Sequence, residues 1–154
     1  MLPVLIISLL IPLSVGALAG ALTMGSMAQY AALAQPPLSP PGWVFPAVWT
    51  VLYLLMGLAC YLIWTSEAPQ AEKKRALTLY GAQLVLNFIW PLLFFEAGEF
   101  GVSLIWLALL TALVLATAAA FGHISKTAAW LLAPYLLWLV FAAYLNAGVW
   151  LLNG

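Results

Sequence analysis

The chain has 154 residues, 67% hydrophobic and 5% charged, with a formal net charge of zero. A soluble domain carries about 25% charged residues, so this chain could not cover its surface in water, and a neutral chain lacks the positive field that would draw nucleic acid. One cysteine, Cys60, excludes an internal disulfide, and with one histidine and no aspartate the donors for a metal site are missing, so neither metal nor cofactor is expected.

Crossing a bilayer takes about 20 mainly apolar residues in a helix. Five stretches qualify, so the chain reads as an all-α integral membrane protein, a five-transmembrane-helix bundle forming a single domain over residues 1–154. The first span covers about 5–27. No Lys or Arg precedes it, so it reads as a retained span and not as a signal peptide. Residues 28–42 form a proline-rich loop; the run Gln35-Pro36-Pro37-Leu38-Ser39-Pro40-Pro41-Gly42 cannot be helix, because each proline lacks an N–H and restrains its predecessor. The second span covers about 43–64 and ends at a charged loop holding Glu67, Glu72, Lys73, Lys74 and Arg75. The third covers about 76–95, followed by a tight turn with Glu96, Gly98, Glu99 and Gly101. The fourth covers about 102–122, and the fifth about 127–152. His123 and Lys126 lie at the turn between them.

All four basic residues, Lys73, Lys74, Arg75 and Lys126, fall in the second and fourth loops. Basic loops stay cytoplasmic. The expected setting is a bacterial inner membrane, with the N-terminus cytoplasmic and the first loop and C-terminus outside. No charge lies near the centre of a span, which weighs against ion-coupled carriers and against acid–base hydrolysis.

Eight tryptophans are present. Trp43, Trp64, Trp130 and Trp150 lie near span ends and fit an interfacial belt. Trp49, Trp90 and Trp138 lie deeper. Trp49 and Tyr53 share a face at i and i+4. So do Asn87, Trp90 and Phe94 on the third span, and Tyr135, Trp138, Ala142, Leu145 and Asn146 on the fifth. An asparagine within a span must be satisfied, so Asn87 and Asn146 point inward, as interhelical glue or as ligand contacts. Pro91 and Pro134 interrupt their spans and predict kinks. Kinked helices lined by aromatics can wall a cavity suited to a large planar apolar ligand. In the first span, Gly16 and Gly20 form a Gly-x-x-x-Gly pair. It predicts close helix approach, either as a homodimer seam or within the chain.

Three motifs carry a family resemblance. The first is Pro40-Pro41-Gly42-Trp43-Val44-Phe45 with Ala47-Val48-Trp49-Thr50-Val51-Leu52-Tyr53. The second is Gln83-Leu84-Val85-Leu86-Asn87-Phe88-Ile89-Trp90-Pro91, ending in Phe94-Phe95. The third is Ala129-Trp130-Leu131-Leu132-Ala133-Pro134-Tyr135-Leu136-Leu137-Trp138, with Phe141-Ala142 and Leu145-Asn146. With these, the chain resembles the translocator protein family, also called tryptophan-rich sensory proteins and once peripheral-type benzodiazepine receptors. The resemblance implies a five-helix bundle, often a homodimer, that binds porphyrins such as protoporphyrin IX or a haem-like ligand, and synthetic isoquinoline carboxamides. The first loop would act as a lid. The implied ligand contacts are Tyr30, Pro40, Trp49, Tyr53, Asn87, Trp90, Phe94, Trp138, Ala142 and Leu145.

No catalytic set is expected, unless light-dependent porphyrin degradation is a true activity; the resemblance then implicates Trp49 and Trp138. Porphyrin transport, sensing or disposal is the leading function, with that degradation and a ligand-regulated stress-signalling role as alternatives. The family's Lys-Pro-x-Trp before the Pro-Pro pair is replaced here by Gln35-Pro36-Pro37-Leu38, which removes a basic and an aromatic lid contact. Tyr144 is followed by no basic residue, so sterol binding is not expected.

Overall fold

The computed structural model describes residues 1–154. It is all helical, with five stretches long and apolar enough to cross a membrane. The first stretch comprises α1 (Leu2–Thr23), a 3₁₀ turn (Met24–Ser26) and α2 (Met27–Ala32). After the extended strap of residues 33–43 come α3 (Val44–Trp64) and α4 (Gln70–Pro91), the latter continuing into a π-helical turn (Leu92–Glu96). The last two stretches are α5 (Phe100–Ile124), and α6 (Lys126–Leu131) with α7 (Ala133–Asn153).

The ends of the helices differ from the sequence pattern in two places. Helix continues beyond residue 27 through α2, because no proline lies between residue 27 and Pro36 to remove an N–H. The proline-rich loop thus begins with a helical turn that carries Tyr30. At the other end of the bundle, α4 begins at Gln70, so Glu72, Lys73, Lys74 and Arg75 lie within its first turns. Lys and Arg are good helix formers, and Pro69 supplies a sharp start. Pro91 and Pro134 both mark irregularities: the π-helical turn follows Pro91, and the fifth stretch breaks at Leu132, two residues before Pro134, whereas α1 runs unbroken through Pro12.

Water does not drive helices together inside lipid, so close packing must. The tightest crossing joins α1 to α3. A Cβ on Gly57 would lie 2.7 Å from the Ser8 carbonyl oxygen and 2.9 Å from Leu9 Cα, so only glycine allows the two backbones to approach. Met56, Ile63, Leu107, Val114, Phe121, Leu139 and Val149 are sealed in the core between α3, α5 and α7. Leu10, Ile105, Leu137 and Leu151 are exposed on the outside, as a lipid-facing surface requires.

Polar groups in the interior tie helices together. Tyr53 Oη donates to Asn87 Oδ1 at 2.6 Å, Asn87 Nδ2 donates to Tyr135 Oη at 2.7 Å, and Tyr135 Oη donates to Gln83 Oε1 at 2.8 Å. This chain links α3, α4 and α7. Nearer the lid end, Asn146 Oδ1 accepts from Trp90 Nε1 at 3.1 Å and from Ser103 Oγ at 3.0 Å, while its amide donates to the Phe100 carbonyl at 2.8 Å. Asn146 is therefore interhelical glue. Asn87 does the same work and also borders a cavity.

Candidate ligand-binding site

A cavity of about 1030 Å³ opens between α1, α3, the end of α4 and the strap. Drug-sized pockets run to about 1,000 Å³ and are mainly apolar, with a few placed polar groups. Trp49 and Tyr53 are stacked on one wall, with ring centroids 5.6 Å apart and planes 28° apart. They lie together because they are one turn apart on α3. Trp90 and Asn87 form the α4 wall, Tyr30 comes from α2, and Pro40 comes from the strap. Asn87 offers the amide, already held by Tyr53 and Tyr135.

The other expected contacts do not line this cavity. Phe94, Trp138, Ala142 and Leu145 surround a neighbouring void of about 10 Å³, which Tyr30, Trp49 and Trp90 also border. About one water-sized probe fills such a space. The sequence pattern suggests open room above Trp138, because Ala142 follows one turn later. That room is taken by aromatic rings. Trp138 meets Trp49 edge-on at 6.3 Å and Phe45 at 6.0 Å, and Trp90 stacks on Phe94 at 5.1 Å with planes 13° apart. Tyr30 closes the cluster, 5.0 Å from Phe95 and 5.6 Å from Phe94. The ten residues thus form one continuous aromatic region with two parts, one hollow and one packed. Within the packed part, Trp138 Nε1 is buried with no acceptor. A buried donor left unpaired costs about 1–3 kcal/mol, so this N–H is available to a ligand acceptor that displaces the packing.

The depth argument for the tryptophans separates them correctly. Trp43 and Trp130 are 71% and 75% exposed, whereas Trp90 is 4% exposed. Trp49 and Trp138 are half-buried. Trp106, which no motif singled out, is half-buried and donates to the Leu86 carbonyl at 2.9 Å.

Sequence reasoning missed the α1 wall. Gly16, Ala17, Gly20, Thr23, Met24 and Met27 face the cavity. A Cβ on Gly16 would collide with the Tyr53 ring, and a Cβ on Gly20 would meet nothing within 4 Å. The Gly-x-x-x-Gly pair is thus used inside the chain, as a cavity wall. A stripe of small residues signals close approach or open space, and the sequence does not distinguish them. Phe45 and Phe95 stood within the motifs, yet their place on the cavity rim depends on the π-helical turn and the entry of α3.

The sequence is similar to known proteins. The TspO/MBR family model matches residues 8–151. The translocator protein of Ovis aries is 44% identical over 122 residues, covering 79% of this chain and 72% of that protein. The tryptophan-rich protein TspO of Chlorobaculum tepidum is 37% identical over 124 residues, covering 80% and 78%. Its counterpart in Archaeoglobus fulgidus is 36% identical over 150 residues, covering 97% and 96%. With five membrane-spanning helices and a match across nearly its whole length, the chain belongs to the TspO/MBR family.

Proposed function

We propose that this protein binds a planar apolar tetrapyrrole, protoporphyrin IX or a haem-like relative, within the membrane, and so carries, senses or disposes of it. The observation that carries this reading is the hollow of about 1030 Å³ walled by Trp49, Tyr53 and Trp90, with a held amide at Asn87. Flat aromatic walls favour a flat ligand through stacking, at about 0.5–1.5 kcal/mol per pair beyond burial. No basic side chain borders the hollow. Carboxylates on the ligand would therefore point out to the headgroups, where water and lipid charge solvate them. Isoquinoline carboxamides suit the same walls.

On this reading Tyr30, Pro40, Trp49, Tyr53, Asn87 and Trp90 touch the ligand first. Phe94, Trp138, Ala142 and Leu145 join when the packed part opens. The setting is a bacterial inner membrane with the strap outside, because all basic residues lie at the opposite ends of the helices. A cysteine introduced at Ser39 should react with an impermeant reagent added outside; protection there reverses the orientation. A homodimer belongs to the same reading, its seam on the lipid-facing surface, and crosslinking in native membranes that yields only monomer removes it.

The test of the function is a titration of protoporphyrin IX into the protein in lipid nanodiscs. Tryptophan quenching should saturate at one ligand per chain and be reversed by an isoquinoline carboxamide competitor. Linear, unsaturable quenching equal to that of empty nanodiscs plus free tryptophan contradicts it. A second reading, light-dependent breakdown of the porphyrin, is favoured by the edge-on contact of Trp49 and Trp138 at 6.3 Å. Loss of the bound porphyrin's absorbance under illumination, abolished by Trp49→Phe, would support it.

A further inference from the structure

The strap is fastened to α7, a helix that contributes no residue to the lining of the hollow. Asn153 Nδ2 donates to the Ala34 carbonyl at 2.7 Å, and the Ala34 N–H donates back to Asn153 Oδ1 at 3.1 Å. Tyr144 Oη donates to the Pro37 carbonyl at 2.5 Å. Pro36 is buried against Gly148, where any Cβ would strike the proline ring. The strap is therefore seated along the last turns of α7, on residues that neither line nor border the hollow.

Helix α1 and the turn that follows it are held at two points. Near its start it meets α3 backbone to backbone at Gly57, and at the lid end Ser26 Oγ donates to a Glu96 carboxylate oxygen at the close of the π-helical turn. Between these two anchors Gly16 rests against the Tyr53 ring of α3, and the hollow is lined from both helices. Its exposed lining includes Ala17, Gly20 and Ala21 on α1 and Pro46 and Thr50 on α3, besides Met24, Ala31 and the strap residues Pro41 and Gly42. Thr50 Oγ1 donates to the Pro46 carbonyl of its own helix at 2.7 Å, so its hydroxyl needs no water. Ala17 and Gly20 lie in the middle part of the first apolar stretch, Leu2–Ala32, which is long enough to cross a bilayer.

We propose that ligand enters and leaves sideways, from the lipid through the opening between α1 and α3, while the strap stays fastened to α7. This rests on the reading of the hollow as a planar-ligand site. It narrows the ligand class to molecules already dissolved in the bilayer, with a polar edge turned to the headgroups on the strap side. A lipid-dissolved plate reaches the rim without crossing water. A route beneath the strap breaks the Asn153 and Tyr144 bonds and uncovers Pro36.

Three variants in proteoliposomes carrying protoporphyrin IX test the route by association and dissociation rates. Ala34→Cys with Asn153→Cys, oxidised, locks the strap; the Asn153 side chain already bridges this gap. Asn153→Ala loosens it. Thr50→Trp places a bulky ring at the side opening. Rates for the locked and loosened proteins should stay within about twofold of the parent, whereas Thr50→Trp should slow association and dissociation together by about tenfold or more, as expected of a gate. The route is overturned if locking slows uptake about tenfold and reduction restores it, if Asn153→Ala speeds uptake by that factor, or if Thr50→Trp leaves both rates unchanged. Where the disulfide fails to form, Asn153→Ala and Thr50→Trp still decide. A parent protein that binds no protoporphyrin IX overturns the ligand reading itself, and the route with it.

Discussion

Gly20→Trp should abolish planar-ligand binding without destabilising the bundle. Gly16 directs its Cβ position at the Tyr53 ring, and Gly20 lies one turn further along the same face of α1. A side chain at Gly20 therefore enters the hollow. Nothing lies within 4 Å of its Cβ position, so no packed neighbour is displaced. The indole would occupy space beside Trp49 and Tyr53 that the ligand needs. The expected loss of affinity is about a hundredfold, equivalent to about 2.8 kcal/mol. Replacing a helical glycine also removes about 0.5–1 kcal/mol of backbone entropy cost, so the melting temperature should hold or rise. Unchanged affinity at unchanged stability would mean that the hollow is not the binding site.

Gly57→Leu should have the opposite signature, a stability defect at a site remote from the ligand. The atoms in the way are the backbone of α1 itself, the Ser8 carbonyl oxygen at 2.7 Å and Leu9 Cα at 2.9 Å. A backbone cannot rotate aside as a side chain can, so α1 must move away from α3. Overpacking of this kind costs about 1–3 kcal/mol, or roughly 2–12 °C in melting temperature for a chain of this length. Gly81→Ala is the control, since a Cβ there meets nothing within 4 Å. A melting temperature for Gly57→Leu equal to that of the control would show that the crossing of α1 and α3 tolerates separation.

Much of this architecture is legible in the sequence because lipid imposes simple rules. Long apolar runs broken by prolines and charges mark the spans, and the depth of each tryptophan within its span separates Trp90 from Trp43 and Trp130. The helical spacing of Trp49 with Tyr53 and of Asn87 with Trp90 correctly puts each pair on one inward face. Three features are not legible for stated reasons. The fastening of the strap joins residues 107 to 119 positions apart, with no local signal at either end. The role of Gly16 and Gly20 depends on where α3 stands. Finally, the room above Trp138 depends on rings from three helical elements, since Tyr30 of α2, Phe45 and Trp49 of α3 and Trp90 of α4 converge on it. Ala142 alone suggests space, and the neighbours fill it.

The protein's central property is a planar-ligand site in the hollow between α1, α3 and α4, and the titration read tryptophan by tryptophan tests it most directly. Protoporphyrin IX would be added in nanodiscs to the parent, to Trp49→Phe, to Trp90→Phe and to Trp43→Phe, the last removing an exposed indole at the mouth of α3. Saturable quenching should lose its largest components with Trp49 and Trp90 and keep them with Trp43. Affinity should fall about two- to twelvefold for Trp49→Phe through lost stacking. If Trp49→Phe and Trp90→Phe bind and quench as the parent does, while Trp43→Phe does not, the ligand sits at the membrane surface and the hollow is not its site.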